Sequence, residues 1–244
     1  MTGCRLAAVL AALALAGCAG PATSPISVTD RSTFVPSVRV AADISRYAGE
    51  PSDPHGAHAL ELGLSGGRGS GMQTLSAGEN PVVFGGQQFD PPQQLRHEFT
   101  FRFYELAYRW RQFLGAGGFG YEALAGVGYA DLDLTISSAT RRASDNLSNA
   151  GFIGSFGLLW RMRPGTSLQS RFAFFGSGST QAIRNATRLD LYLAQAVGAN
   201  VGLRAGYASW SMRSVREAGD FSSSNLSPIT VRFSGPALGL ELMF

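Results

Sequence analysis

From His58 to Phe244 the chain is a succession of segments in which apolar side chains recur at every second position. A period of two sends successive side chains to opposite faces of an extended backbone, so these segments are committed to strands with one apolar face. HALELGLSG (58–66) sets Leu60, Leu62 and Leu64 against Glu61, Gly63 and Ser65. EFTFRFYELAYRWRQF (98–113) carries Phe99, Phe101 and Phe103, then Tyr104, Leu106, Tyr108 and Trp110. The apolar phase changes once in that run, and a bulge near Tyr104 or Glu105 is the expected cause. GYEALAGVGYADLDL (120–134), AGFIGSFGLLWRMR (150–163), SLQSRFAFF (167–175), TRLDLYLAQ (187–195) and VGLRAGYASW (201–210) alternate in the same way. The last segment, ITVRFSGPALGLELMF (229–244), contains Pro236, which predicts a local break in pairing.

These are eight strands. The connections between them alternate in length: long polar stretches at about 67–95, 136–149, 176–187 and 214–228, and short ones at Gly115-Ala116-Gly117, Pro164-Gly165-Thr166 and Gly198-Ala199-Asn200. Residues 37–48 fit two patterns. Val40, Ile44 and Tyr47 have helical spacing, while Val38, Val40, Ala42 and Ile44 alternate as in a strand. Counting that stretch and part of 80–95 as strands gives ten. GEPSDPHG (49–56) is a turn or linker, and residues 21–36, rich in Pro, Ser and Thr, suit a tether.

The first twenty residues are of another kind. Arg5 forms a short positive region and Leu6 to Ala16 an apolar run. That run is shorter than the ~20 residues a membrane-spanning helix needs, and it ends in small residues as export signals do. Leu15, Ala16, Gly17 and Cys18 resemble the lipobox of bacterial lipoproteins. The resemblance implies removal of residues 1–17 as a signal peptide, a diacylglycerol on Cys18 and an N-acyl chain on its new amine. No Asp follows Cys18 (Ala19 does), so outer-membrane sorting is expected. A plain secretory peptide cut after Ala14-Leu15-Ala16 is the alternative. The only cysteines are Cys4 and Cys18, so the exported chain cannot close an internal disulfide and needs another source of stability. All 20 basic residues are Arg, and the absence of Lys weakly disfavours a large water-exposed surface.

Long and short connections in alternation, together with the eight segments, resemble small outer-membrane barrels of the OmpA/OmpX type. The implied fold is all-β: an antiparallel up-and-down transmembrane β-barrel over 57–244, preceded by a lipidated N-terminus and periplasmic linker over 18–56. Eight strands return the chain to the periplasmic side on which Cys18 is expected. Tyr121 and Tyr129, with Trp110 and Trp160, read as an aromatic girdle. Glu61, Glu105, Glu122, Arg161, Arg171, Asp190, Arg204 and Glu241 read as luminal charges that plug a narrow interior. Phe244 resembles the terminal aromatic signal recognised by the barrel-assembly machinery. A lipid-tethered soluble barrel has the same alternation with its apolar face inward. The direction of Leu189, Leu191 and Leu193 therefore separates the two.

Little catalytic chemistry is visible. The chain has His55, His58 and His97 only. Barrel enzymes that deacylate lipid A use a His-Ser pair on late strands, where no His is present. A palmitoyltransferase-like set has His97, Asp90 and Ser76 as its sole counterparts here, and these read more simply as loop residues. His55 and His58 lack further metal ligands, and the arginines are dispersed, which excludes a nucleic-acid patch. The expectation is a non-enzymatic outer-membrane β-barrel lipoprotein with a structural, envelope-integrity or surface-interaction role. It needs no cofactor, and its partners are outer-membrane lipids and the barrel-assembly and lipoprotein-sorting machinery. A lipid A-modifying enzyme and a tethered soluble ligand-binding barrel are the alternatives.

Overall fold

The structure, a computed structural model, describes residues 23–48, 58–114, 118–178, 183–214 and 227–244. Residues 1–22, with the lipobox and Cys18, lie outside them, as does His55. The fold is all-β. Its strands are β1 (Ile26–Asp30), β2 (Val35–Asp43), β3 (His58–Leu75), β4 (Val82–Phe84), β5 (Gln87–Phe89), β6 (Gln93–Leu114), β7 (Phe119–Ser137), β8 (Arg142–Arg163), β9 (Thr166–Gly176), β10 (Ile183–Ala196), β11 (Val201–Ser214) and β12 (Ile229–Met243). All eight segments with period-two alternation are strands. Residues 37–43 are strand as well, and only Ser45–Ala48 turn helically, as a short 3-10 element.

Ten strands form one large sheet in the order β1-β12-β11-β10-β9-β8-β7-β6-β3-β2. From β3 to β12 each long strand is antiparallel to the next. The N-terminal residues then close the circuit. β2 pairs antiparallel with β3, Val38 opposite Leu64, and parallel with β12, Val38 opposite Leu240. β1 continues that line along β12, with Ile26 opposite Ile229. β1 and β2 thus form a single interrupted stave between the last strand and β3. Its start, Ile26, is at the end that carries the longer connections, and Phe244 is at the opposite, short-turn end.

Two expectations about backbone breaks need correction. β6 pairs with β7 from Arg96 to Leu114 without a register shift, so no bulge lies at Tyr104 or Glu105. β12 likewise pairs with β11 straight through Pro236. The interruption falls on the other side of β12, where pairing stops at Asp30 opposite Phe233 and resumes at Val35 opposite Ala237. Pro236 sits opposite that gap, where a missing N–H costs no ladder bond.

The apolar phase changes for an environmental reason. In β6, Phe99, Phe101 and Phe103 are buried, whereas Tyr104, Leu106 and Tyr108 are exposed. The backbone alternates regularly, and the two faces exchange character part-way along it. β12 does the same, with Ile229, Val231 and Phe233 buried and Leu238 exposed. Toward the long-connection end the interior is an apolar core. Phe101 meets the Trp210 ring edge-on at 4.8 Å, Phe103 meets Phe175 at 5.6 Å, and Phe99 lies 5.3 Å from Phe233. Edge-on aromatic pairs of this kind add to the benefit of their buried area.

The strands also run farther than the alternation implied, because their extensions carry small and polar side chains. The expected connection 136–149 shrinks to the turn between Ser137 and Arg142. Of 67–95 only the stretch between Leu75 and Gln93 remains, and it contains the β4–β5 hairpin. Gly85 and Gly86, at φ 54° and 74°, make that turn, which requires left-handed backbone at both positions. Val82, Phe84 and Phe89 are buried in the apolar core, so the hairpin covers its end.

Candidate functional site

The chemistry of the molecule is divided between two halves. On the short-turn side the outer face is apolar and the inner face charged. Leu189, Leu191 and Leu193 are 55, 50 and 49 % exposed, while Arg188, Asp190 and Tyr192 between them are buried. The exposed apolar positions run from Tyr104 to Leu114 in β6, from Phe119 to Tyr129 in β7 and from Phe152 to Met162 in β8. Each run covers about 25 Å of height at ~2.5 Å per tilted residue. Beyond it the outward positions become polar: Arg102, Thr100, Glu98 and Arg96 on β6, and Asp131 and Asp133 on β7. The outer face is therefore a belt, and the apolar core begins at the height where the belt ends.

Behind the belt lies a continuous ion-pair network. Arg171 donates from Nη1 to Glu61 Oε1 at 2.8 Å and from Nε to Glu122 Oε1 at 2.7 Å. Glu61 also accepts from Arg109 at 2.9 Å, and Arg39 Nε lies 3.5 Å from it. Glu122 accepts a second bond from Arg111 Nε at 3.0 Å. Glu241 lies 3.4 Å from Arg109 and 3.8 Å from Arg111. Arg39 links this group to Asp190 at 3.3 Å, and Asp190 accepts from Arg188 Nε at 2.9 Å. Arg188 lies 3.9 Å from Glu105. Charges taken out of water are tolerable only when paired and hydrogen-bonded this closely.

Glycine makes room for the network. A Cβ on Gly63 would lie 2.4 Å from Glu105 Oε1, and one on Gly157 would lie 2.6 Å from the Ser170 carbonyl oxygen and 2.8 Å from Glu122 Cγ. Arg204 is buried beside the Tyr192 ring, its guanidinium carbon 5.0 Å from the centroid, and donates to Ser37 Oγ at 3.4 Å.

Of the eight charges expected inside, Glu61, Glu105, Glu122, Arg171, Asp190, Arg204 and Glu241 are buried there. Arg161 is exposed at the short-turn mouth, its guanidinium 3.7 Å from the centre of the Phe113 ring. Arg39, Arg109, Arg111 and Arg188 are buried members that the sequence reading missed. The period of two continued from Glu105 through Ala107 points directly at Arg109 and Arg111. Arg39 was hidden by the undecided 37–48 stretch.

Among the aromatics, Trp110 and Tyr121 meet edge-on at 5.3 Å near the short-turn end, and Tyr104 and Tyr129 lie 6.2 Å apart near the other edge of the belt. The Tyr121 hydroxyl donates to Gln112 Oε1 at 3.2 Å, and Trp160 is exposed on the outer face. Phe244 is exposed, its backbone N–H bonded to the Ala41 carbonyl at 2.9 Å.

The palmitoyltransferase-like set does not assemble into a hydrogen-bonded group. His97 is fully buried on the inward side of β6, between Leu95 and Phe99, with both ring nitrogens lacking a hydrogen-bond partner. Asp90 accepts from Gln88 at 2.6 Å and lies 3.7 Å from Arg141. The Ser76 N–H donates to Glu79 at 2.8 Å. His58 is hydrogen-bonded to the Tyr108 hydroxyl. Comparison with protein-family models, with curated proteins and with solved structures finds no match to this chain.

Proposed function

We propose that this protein is a non-enzymatic lipoprotein whose closed sheet spans the bacterial outer membrane as a β-barrel, acting in envelope integrity or surface interaction through its longer connections. The observation that carries the reading is the outward direction of Leu189, Leu191 and Leu193 over a charged interior. A soluble ligand-binding barrel turns its apolar face inward. Exposed apolar surface encircling a molecule is not stable in water. A belt about 25 Å tall, with aromatics toward its edges, matches the hydrocarbon layer that such barrels cross. The ion-pair network and the apolar core above it block the interior, which favours a structural role over a pore.

The N-terminal stave changes the expected position of the lipid. Ile26 is level with Ile229, seven residues before Pro236, where the outward apolar face of β12 begins. That puts Ile26 about 18 Å beyond the belt at ~2.5 Å of height per tilted residue. Cys18 is eight residues upstream, a reach of about 26 Å in extended chain. With the short turns in the periplasm, a diacylglyceryl group on Cys18 therefore enters the outer leaflet, not the inner one toward which eight strands alone pointed. The partners of this reading are outer-membrane lipids and the barrel-assembly and lipoprotein-sorting machinery.

Epitope tags test it. A tag in the turn after Ser137 and one placed between Cys18 and Thr23 are expected to be accessible on intact cells. A tag at Gly198-Ala199-Asn200 should be reached only after permeabilisation. Recovery of a Cys18→Ala form, exported by a cleavable signal, from the soluble periplasm would overturn the membrane-spanning reading. An accessible tag after Ser137 with a protected N-terminal tag would overturn the outer-leaflet anchor alone.

A further inference from the structure

The two ends of the interior are unlike. At the long-connection end the β4–β5 hairpin covers an aromatic core, and the space left beside Phe103 and Trp210 amounts to about 10 Å³. At the short-turn end a cavity of about 640 Å³ leads in as far as Arg111 and Glu241. That volume lies in the range of small-molecule sites.

The lining is chemically one-sided. Among the described residues the buried charges nearly balance, with Arg39, Arg109, Arg111, Arg171, Arg188 and Arg204 against Glu61, Glu105, Glu122, Asp190 and Glu241. Among the described residues the cavity wall adds Arg161 and Arg163 and no further carboxylate, so three arginines line it with the one carboxylate of Glu241. Arg111, 6 % exposed, forms the floor. Its Nε is committed to Glu122, and its Nη2 is buried 3.8 Å from the Glu241 oxygen. Gln169 and Gln195 add amide groups to the wall. A concave site with low-dielectric walls and an excess of one charge concentrates counter-ions of the other sign. Guanidinium forks match the oxygens of phosphate groups in pairs.

We infer that this cup is a binding site for a small polyanion carrying phosphate groups, taken up from the short-turn side. Arg161 and Arg163 meet the ligand at the rim, and the buried Arg111 adds its charge at the floor. The ligand does not pass through, because the ion-pair network and the aromatic core close the interior above it.

The site is open to test on the full chain in detergent, where the result does not depend on which membrane face the cup serves. Calorimetric titration with pyrophosphate at low salt is expected to give a Kd on the order of 0.1 mM or tighter. The rim variant Arg161→Gln/Arg163→Gln should weaken it fivefold or more. Both side chains are exposed, so the variant keeps the fold. Arg96→Gln/Arg232→Gln removes the same charge from outward positions of the other half and should leave the affinity unchanged. The inference is overturned if the wild type does not bind, if the rim variant loses less than fivefold, or if the control variant weakens as much as the rim variant.

Discussion

Glu61 is the residue on which the interior turns. Three arginines from three strands, Arg39, Arg109 and Arg171, converge on its two oxygens. Replacing it with Ala leaves these guanidinium groups short of a counter-charge in a buried space. Removing one member of a buried pair typically costs about 3–5 kcal/mol. Glu61→Ala should therefore lower the urea midpoint followed by tryptophan fluorescence and weaken the resistance of the folded band to heating before electrophoresis. Gly157 tests the same space from the other direction. A Cβ there meets the Ser170 carbonyl as well as Glu122, so relief by side-chain rotation is blocked on one side. Gly157→Ala should destabilise by ~1–3 kcal/mol, the usual scale for overpacking. An unchanged midpoint would show that the strand can shift to absorb the methyl group. Glu61 and Glu122 were legible in the sequence as polar members of alternating segments. That two glycines are the spaces into which the network fits was not, since a glycine carries no periodic signal of its own.

At the scale of the strand, β6 holds two environments on one unbroken ladder. An outward charge should cost much more below the change of phase than above it. Leu106→Lys lies within the belt and is expected to cost ~2–4 kcal/mol, while Thr100→Lys, six residues along the same face, should be close to neutral. Refolding equilibria into lipid vesicles measure both, and equal costs would refute a hydrocarbon-facing belt. The inward face has the reverse sensitivity. Phe101→Ala should cost about 3–5 kcal/mol by opening a cavity in the aromatic core.

His97, in the same half and outside the belt, is buried with no partner, which pushes its ring from an ordinary value of 6.5 down to about 4. The unfolded chain binds this proton at higher pH than the folded one. Stability from this group is therefore complete above about pH 6.5 and is lost as the pH falls toward 4, by roughly 3 kcal/mol in all. His97→Leu should flatten that part of the pH–stability curve, and an unaltered curve would assign the acid sensitivity to other groups. The phase change was plain in FTFRFYELAY, but its cause was not. A bulge and an exchange of environments leave the same trace in a sequence, and only pairing partners separate them.

At the scale of the whole molecule, the all-β class and every long strand after His58 could be read from alternation alone. The strand extensions could not, because GGRGSG in β3 and the polar run of β8 lack a repeated apolar face. The Gly-Gly turn of the β4–β5 hairpin was available as a signal in VVFGGQQF but was masked by the surrounding long connection. The closing stave was hidden for a different reason. Residues 35–43 alternate inward Val35, Ser37, Arg39 and Ala41 with outward Pro36, Val38 and Ala42, and neither face is strongly apolar. Nothing local announces that such a stretch pairs with residues about two hundred positions away. That distance also governs how the molecule can be assembled. The first strands to leave the ribosome find their partner in the last, since Val38 lies opposite Leu240, so the circuit cannot shut until the whole chain is present. Loop closure over nearly the full length makes this a slow, late event. Until then β2 and β12 each present an unpaired edge, the form in which a sheet is most open to pairing with another chain. A newly made chain is therefore open to wrong pairing for the whole interval before its two ends meet.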